Sequence, residues 1–205
     1  MKNAASNNNS QLVTSMITDV DTLMSYVTLI TPRNPFGGKP VFSVSTVIPK
    51  TNEAVYKEIQ SCMKAAWIKG ESILRKNGVL PSMDDPAFYL PLRDGDKDRP
   101  DDPAYKNCWF LTAKSDTQPE VVDAKCRPLT DLTKVYSGCY GRVAINFYAF
   151  RKGNKFGISV GLNGIQLVRE GKPLGGHFDA QRAFAPVETE ETIEMEETGD
   201  DDFLQ

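Results

Sequence analysis

The 205-residue chain is long enough for one hydrophobic core with appendages, and 40% hydrophobic and 25% charged residues are ordinary for a globular protein. It has neither an apolar run near the roughly 20 residues of a membrane-spanning helix nor a secretory signal, so we expect a cytoplasmic protein without a membrane partner. The charge is uneven, because residues 187–205 hold nine of the 27 acidic residues and no Lys or Arg. Residues 1–186 therefore hold 24 basic and 18 acidic side chains, a net charge of about +6 that is typical of a polyanion-binding protein.

In chain order, the first predicted feature is a disordered arm over residues 1–22, which is rich in Asn and Ser. Two strands follow, 25–31 and 41–48, on either side of a loop rich in Pro and Gly. A helix is predicted from about residue 52 to residue 76. It rests on an apolar stripe with helical spacing, formed by Val55, Ile59, Met63, Ala66, Ile73 and Leu74.

The rest of the chain reads as short strands separated by turns. The predicted strands are 88–92, 108–114, 120–126, 139–150 and 155–168. One long helix among five to seven short strands favours a mainly β fold with a small barrel over a parallel βαβ sheet. We expect one domain over residues 23–186 and a flexible acidic tail over residues 187–205.

Signatures of enzymes and metal sites are mostly missing from the sequence. The four cysteines form no C-x-x-C pair and His177 is the single histidine, so we expect free thiols, no zinc and no cofactor. The acidic segment from Asp84 to Asp102 leaves open a metal-dependent nuclease or resolvase. Arg93, Lys97 and Arg99 alternate with these carboxylates, which favours a solvated loop whose charges pair with one another.

The predicted strand 139–150 carries the most informative pattern. Alternation places Val143, Ile145 and Phe147 on one face, which suits a core. Tyr140, Arg142 and Tyr148 share the opposite face with further polar and aromatic residues, where rings would stack on bases and Arg142 would contact phosphate.

Other candidate DNA contacts lie on neighbouring segments. Trp109 and Phe110 are adjacent in a predicted strand, so one of the two is expected to face DNA, and the sequence does not say which. The cations expected to flank the site are Arg93, Lys114, Lys152 and Lys155.

Four segments resemble one known family: PLRDGDKDRPDDPAY at 91–105, VYSGCYGRVAINFYAF at 135–150, GISVGLNGIQLVREGKPLGG at 157–176 and the terminal DDDFL. They are similar to the replicative single-stranded DNA-binding proteins of tailed phages. The resemblance covers residues 25–205 and implies an OB fold, sequence-tolerant binding of single strands, and a role in phage DNA replication or recombination in the cytoplasm of the infected bacterium.

The acidic tail resembles the tails by which bacterial single-strand binders recruit partner enzymes. It ends in Asp200, Asp201, Asp202, Phe203 and Leu204, followed by Gln205 where those tails end in Pro-Phe. The resemblance implies that these residues recruit replication or recombination enzymes. We also expect the tail to compete with DNA, so that its removal would allow double-stranded DNA to bind. Besides a DNA-binding protein and a nuclease, we considered a decoy whose acidic tail mimics DNA. The net positive charge of residues 1–186 argues against this function.

Overall fold

The structure, a computed structural model, describes residues 12–34 and 38–174. The predicted tail, His177 and the first 11 residues lie outside these ranges. The elements in chain order are β1 (Ser15–Ile17), β2 (Leu23–Arg33), β3 (Val41–Pro49), α1 (Glu53–Lys69), α2 (Glu71–Leu74), β4 (Phe88–Tyr89), β5 (Arg93–Asp94), α3 (Gly95–Asp98), β6 (Cys108–Ser115), β7 (Glu120–Val122), β8 (Tyr140–Lys152) and β9 (Lys155–Arg169).

Five of these strands close into a barrel. β2 pairs antiparallel with β3, and β3 pairs antiparallel with β6. β6 meets β9 in parallel at Lys114 and Gly161, β9 forms a long hairpin with β8, and β8 returns to β2 at Tyr140 and Leu23. This ring of five strands confirms the mainly β, OB-type fold that was predicted from the sequence.

The barrel interior follows the alternation of its strands. Val143, Ile145 and Phe147 of β8 are buried, together with Leu111 of β6 and Ile158 of β9. The prediction that these three β8 residues face the core is confirmed. The opposite side of β8 therefore points out of the barrel.

Helix α1 covers one side of the core and begins at Glu53, next to the predicted start at residue 52. Asn52 accepts a hydrogen bond from the Val55 N–H at 3.3 Å, and Ile59 and Met63 are buried against the sheet. The helix ends at Lys69, short of the predicted residue 76, and a separate turn, α2, follows. Gly70 is the C-terminal cap of α1, between the two helices. It packs so closely against β8 that a Cβ at this position would lie 2.0 Å from the Cβ of Ala149. No helix of the described ranges is long and apolar enough to span a membrane.

The predicted disordered arm is wrong for part of its length. Residues 15–17 form β1, which pairs with β8 at Ser15 and Asn146, and Met16 is buried. The backbone N–H of Phe147 also donates to the Thr14 carbonyl at 2.7 Å. The asparagines of the arm all lie within residues 3–9, whereas residues 12–18, LVTSMIT, include the strand-favouring Val13, Thr14, Ile17 and Thr18, so the composition of the first residues was extended too far along the chain.

Candidate nucleic-acid interface

A groove runs along the outside of the barrel beside the β8–β9 hairpin. Its volume is about 1040 Å³. One wall is the segment 86–90 with Arg93, and the other is the hairpin; Lys114 of β6 lies between them. We call this the hairpin groove, and its hairpin wall comprises Tyr148, Phe150, Lys152, Asn154, Lys155, Phe156 and Ser159.

Exposed aromatic rings stand on both walls of the hairpin groove. Tyr148 is 46% exposed on the hairpin wall, and Tyr89 is 51% exposed on the opposite wall. The Tyr89 ring meets Phe150 edge-on, with ring centroids 6.0 Å apart and an interplanar angle of 67°. Rings held in this way offer faces on which nucleobases can stack.

Four cations line the same groove. Arg93 is paired, with its Nε 2.7 Å from Asp98 Oδ2, and both side chains are partly exposed. Among the described residues, no carboxylate lies within salt-bridge distance of Lys114, Lys152 or Lys155. These three ammonium groups are therefore available to a polyanion.

The two walls approach each other because Gly157 has no side chain. β4 pairs with β9 in parallel, with Tyr89 opposite Gly157. The φ of Gly157 is +152°, and a Cβ there would lie 2.2 Å from the Tyr89 carbonyl oxygen. Glycine is therefore required where the Tyr89 wall meets the hairpin.

Tyr140 and Arg142 lie outside the hairpin groove, although they share the outer side of β8 with Tyr148. Tyr140 precedes Tyr148 by eight residues, about 26 Å along a strand. The Tyr140 side chain is half-buried, unlike exposed Tyr148, and the Arg169 guanidinium carbon lies 3.4 Å from its ring centroid, on one face of the ring. Arg142 Nε donates to the Thr18 carbonyl at 3.3 Å. The sequence-based expectation joined these three residues with the flanking cations in one site, whereas in the structure only Tyr148 lies in the groove that those cations line.

Trp109 and Phe110 are both occupied by protein contacts. Phe110 is 3% exposed and packs edge-on against Tyr105, with centroids 5.0 Å apart. Trp109 stacks on Tyr56 of α1 at 5.1 Å, and the Lys50 ammonium lies 4.8 Å from its centroid. Neither residue lines the hairpin groove, so the sequence-based expectation of a stacking role for one of them is not supported by their positions.

Ion pairs hold the acidic segment from Asp84 to Asp102, and Lys50, which lies outside this segment, forms two of them. Asp98 pairs with Arg93, as the self-paired loop predicted. Lys50, from the end of β3, lies 2.6 Å from Asp94 and 2.7 Å from Asp96. Its hydrogen bonds hold the pKa of both carboxyl groups below the usual value of 3.8. Within the described ranges, no cluster of three or more Asp, Glu, His or Cys residues could hold a metal ion.

Tyr89 is a candidate contact that the sequence did not single out. It lies inside the predicted strand 88–92, where its neighbour Phe88 is buried and Tyr89 is exposed. The alternation of two adjacent aromatic residues was the available signal, but a strand of two residues gives too short a pattern to assign the faces.

Comparison with known proteins gives consistent matches. A family model described as the single-stranded DNA-binding protein of Enterobacter phage Enc34 matches residues 14–198. Putative protein p50 of Acyrthosiphon pisum secondary endosymbiont phage 1 is 30% identical over 138 residues, which cover 66% of this chain and 72% of that protein.

Solved structures share the fold. The single-stranded DNA-binding protein from bacteriophage Enc34 in complex with single-stranded DNA superimposes with a TM-score of 0.65 at 23% identity, covering 78% of this chain and 89% of that chain. The single-stranded DNA-binding protein gp2.5 encoded by bacteriophage T7 gives a TM-score of 0.56 at 16% identity, covering 84% and 94% of the two chains.

Proposed function

The chain belongs to the family of the single-stranded DNA-binding protein of Enterobacter phage Enc34, and we propose that it binds single-stranded DNA along the hairpin groove. The observation that carries this proposal is a groove lined both by three lysines that have no carboxylate partner among the described residues and by two exposed tyrosines, Tyr148 and Tyr89. The family is a family of binding proteins, and no catalytic step is proposed.

In this proposal, the bases stack on Tyr148 and Tyr89 while the phosphates follow Lys114, Lys152 and Lys155. Aromatic stacking tolerates any base, so we expect little sequence preference. Each phosphate contact releases counterions and contributes about −0.7 to the log–log salt slope for single strands. About four contacts, including Arg93 once it leaves Asp98, would give a slope near −3.

We further propose that the tail, residues 187–205, regulates this binding. Nine carboxylates tethered to a basic body compete with DNA at an effective concentration in the millimolar range. DNA displaces the tail, which then recruits a replication or recombination enzyme through Asp200–Asp202 and the terminal pair Phe203 and Leu204. This activity would serve phage DNA replication or recombination in the cytoplasm of the infected bacterium.

A charge-matched pair of variants tests the groove. Lys152→Gln with Lys155→Gln removes two cations that line it, and Lys57→Gln with Lys64→Gln removes two exposed cations of α1 that do not. Fluorescence anisotropy with an oligothymidylate across a salt series should show weaker binding for the first variant, with a slope smaller by about 1.4, or 0.7 for each lost contact. Equal losses for both variants would show attraction by overall charge only, and the proposal of a groove would fail.

A further inference from the structure

Tyr26 of β2 has an unusual backbone for an aromatic residue. Its φ is +47°, a left-handed conformation that side chains other than glycine and asparagine rarely adopt. The register of β2 against β3 shifts between Ser25 and Thr28, so Tyr26 lies in a bulge. A bulge changes the direction of a side chain, and this one leaves Tyr26 53% exposed.

The ring of Tyr26 is held in place from one side by Arg99. The guanidinium carbon lies 4.5 Å from the ring centroid, and Nη1 donates to the Tyr26 hydroxyl at 2.6 Å. Arg99 is itself packed over Tyr105 and Phe110, which are both buried. An exposed ring in a strained backbone, fixed by a cation, is an arrangement that folding alone does not require.

Tyr26 connects the hairpin groove to a second stretch of surface. It lines one hollow with Arg33, Lys39 and Lys114, and another with Arg93 and Arg99. Lys114 and Arg93 also line the hairpin groove, so each hollow shares one cation with the groove and adjoins the Tyr26 ring.

We infer that Tyr26 is a second base-stacking residue, on which a nucleotide of the same strand stacks after the strand leaves the hairpin groove. This inference rests on the proposed function. The acidic residues Asp98, Asp101 and Asp102 line the hollow that also contains Arg93 and Arg99. The phosphates therefore follow the other hollow, which is lined by Arg33, Lys39 and Lys114. Lys39 is available there because its exposed ion pair with Asp116 is weak.

Tyr26→Gly tests the inference with little risk to the fold, because glycine adopts a φ of +47° without strain. Binding is measured by fluorescence anisotropy for oligothymidylates of about 4 and about 12 nucleotides, the range of lengths that one OB fold covers. The short strand fills the hairpin groove, where most of the cations lie, and the long strand also reaches Tyr26. We expect Tyr26→Gly to weaken the longer strand by about 5- to 150-fold, the loss of one stacked base. The short strand should bind as it does to wild type, and the thermal midpoint should not fall.

Tyr26→Phe is the matched variant, since it keeps the ring and removes the hydroxyl that accepts from Arg99. It should bind the longer strand as wild type does. Three results would overturn the inference: unchanged affinity of Tyr26→Gly for the longer strand, equal losses for both lengths with a lower midpoint, or losses in Tyr26→Phe as large as in Tyr26→Gly. If wild type binds neither strand, the proposed function itself fails, and that result is distinguishable from these three.

Discussion

Tyr140 and Tyr148 point to the same side of β8 but lie in different surroundings. Tyr148 stands in the hairpin groove, whereas Tyr140 lies under Arg169. We predict that Tyr148→Ala weakens single-stranded DNA binding by about 1–3 kcal/mol, the worth of one stacked base. Tyr140→Ala should leave the affinity close to that of wild type. Anisotropy titrations of the two variants measure the difference, and equal losses would show that the whole length of β8 contacts DNA.

Phe147 is the control for the assignment of faces. It is 2% exposed in the core, next to Tyr148 in sequence. Phe147→Ala should lower the free energy of unfolding by about 3–5 kcal/mol in a urea titration, through lost burial and a cavity. Tyr148→Ala should leave it nearly unchanged. A stable Phe147→Ala protein that no longer binds DNA would mean that the two faces are reversed.

Single residues also show where the sequence was sufficient and where it was not. The alternation of side chains along β8 correctly predicted that Val143, Ile145 and Phe147 are buried, because alternation along a regular strand depends only on neighbouring residues. The same alternation could not show that Tyr140 and Tyr148 have different surroundings, since these depend on which segments pack beside each end of β8. Tyr26 escaped notice because a bulge breaks the alternation that would have marked it.

Among the elements, β5 and α3, which begin at Arg93 and end just before Arg99 in the chain, are anchored by Lys50. The ammonium binds Asp94 of β5 and Asp96 of α3, and their pKa values are lowered as a result. A depressed carboxyl pKa stabilises the fold at pH values above the unfolded value, and this contribution disappears as the pH falls through the folded-state pKa. The stabilisation should therefore be complete above pH 3.8 and decline below it.

Lys50→Met tests this anchor. Its thermal midpoint should be lower than that of wild type above pH 3.8, and the difference should shrink as the pH falls below that value, because protonated carboxyls no longer bind Lys50. Lys57→Met on α1 is a control, since Lys57 pairs only with exposed Glu53 among the described residues. A difference that does not change with pH would show that Lys50 acts through packing on Trp109 alone.

The elements themselves were predicted with uneven success, for physical reasons. The strands of the barrel and the start of α1 follow from alternation and from the Asn52 cap, which are properties of neighbouring residues. The end of α1 was misplaced because Gly70 is required by contact with Ala149, a residue far away in the sequence. β1 was missed because the Asn-rich composition of residues 3–9 was extended over residues that favour a strand.

For the whole molecule, the division between a basic body and an acidic tail predicts self-competition. Deleting residues 187–205 should tighten single-stranded DNA binding and allow double-stranded DNA to bind, because nine tethered carboxylates are removed. Phe203→Ala with Leu204→Ala keeps those carboxylates, so it should retain the wild-type affinity for DNA while losing the recruited enzyme. Gel shifts with matched single- and double-stranded oligonucleotides measure the first effect. Unchanged affinity of the shortened protein at low salt, where screening is weakest, would contradict the competition.

Photo-crosslinking can locate single-stranded DNA in the hairpin groove without any substitution in the protein. An oligonucleotide that carries bromodeoxyuridine is irradiated with the full-length protein, and the attached peptides are identified by mass spectrometry. We expect crosslinks to the peptides that contain Tyr89 and Tyr148, and these crosslinks should disappear when unlabelled single strands compete. Crosslinks confined to the surface near Tyr56 and Trp109, or to the end of β8 near Tyr140, would contradict the proposal that DNA lies in the hairpin groove.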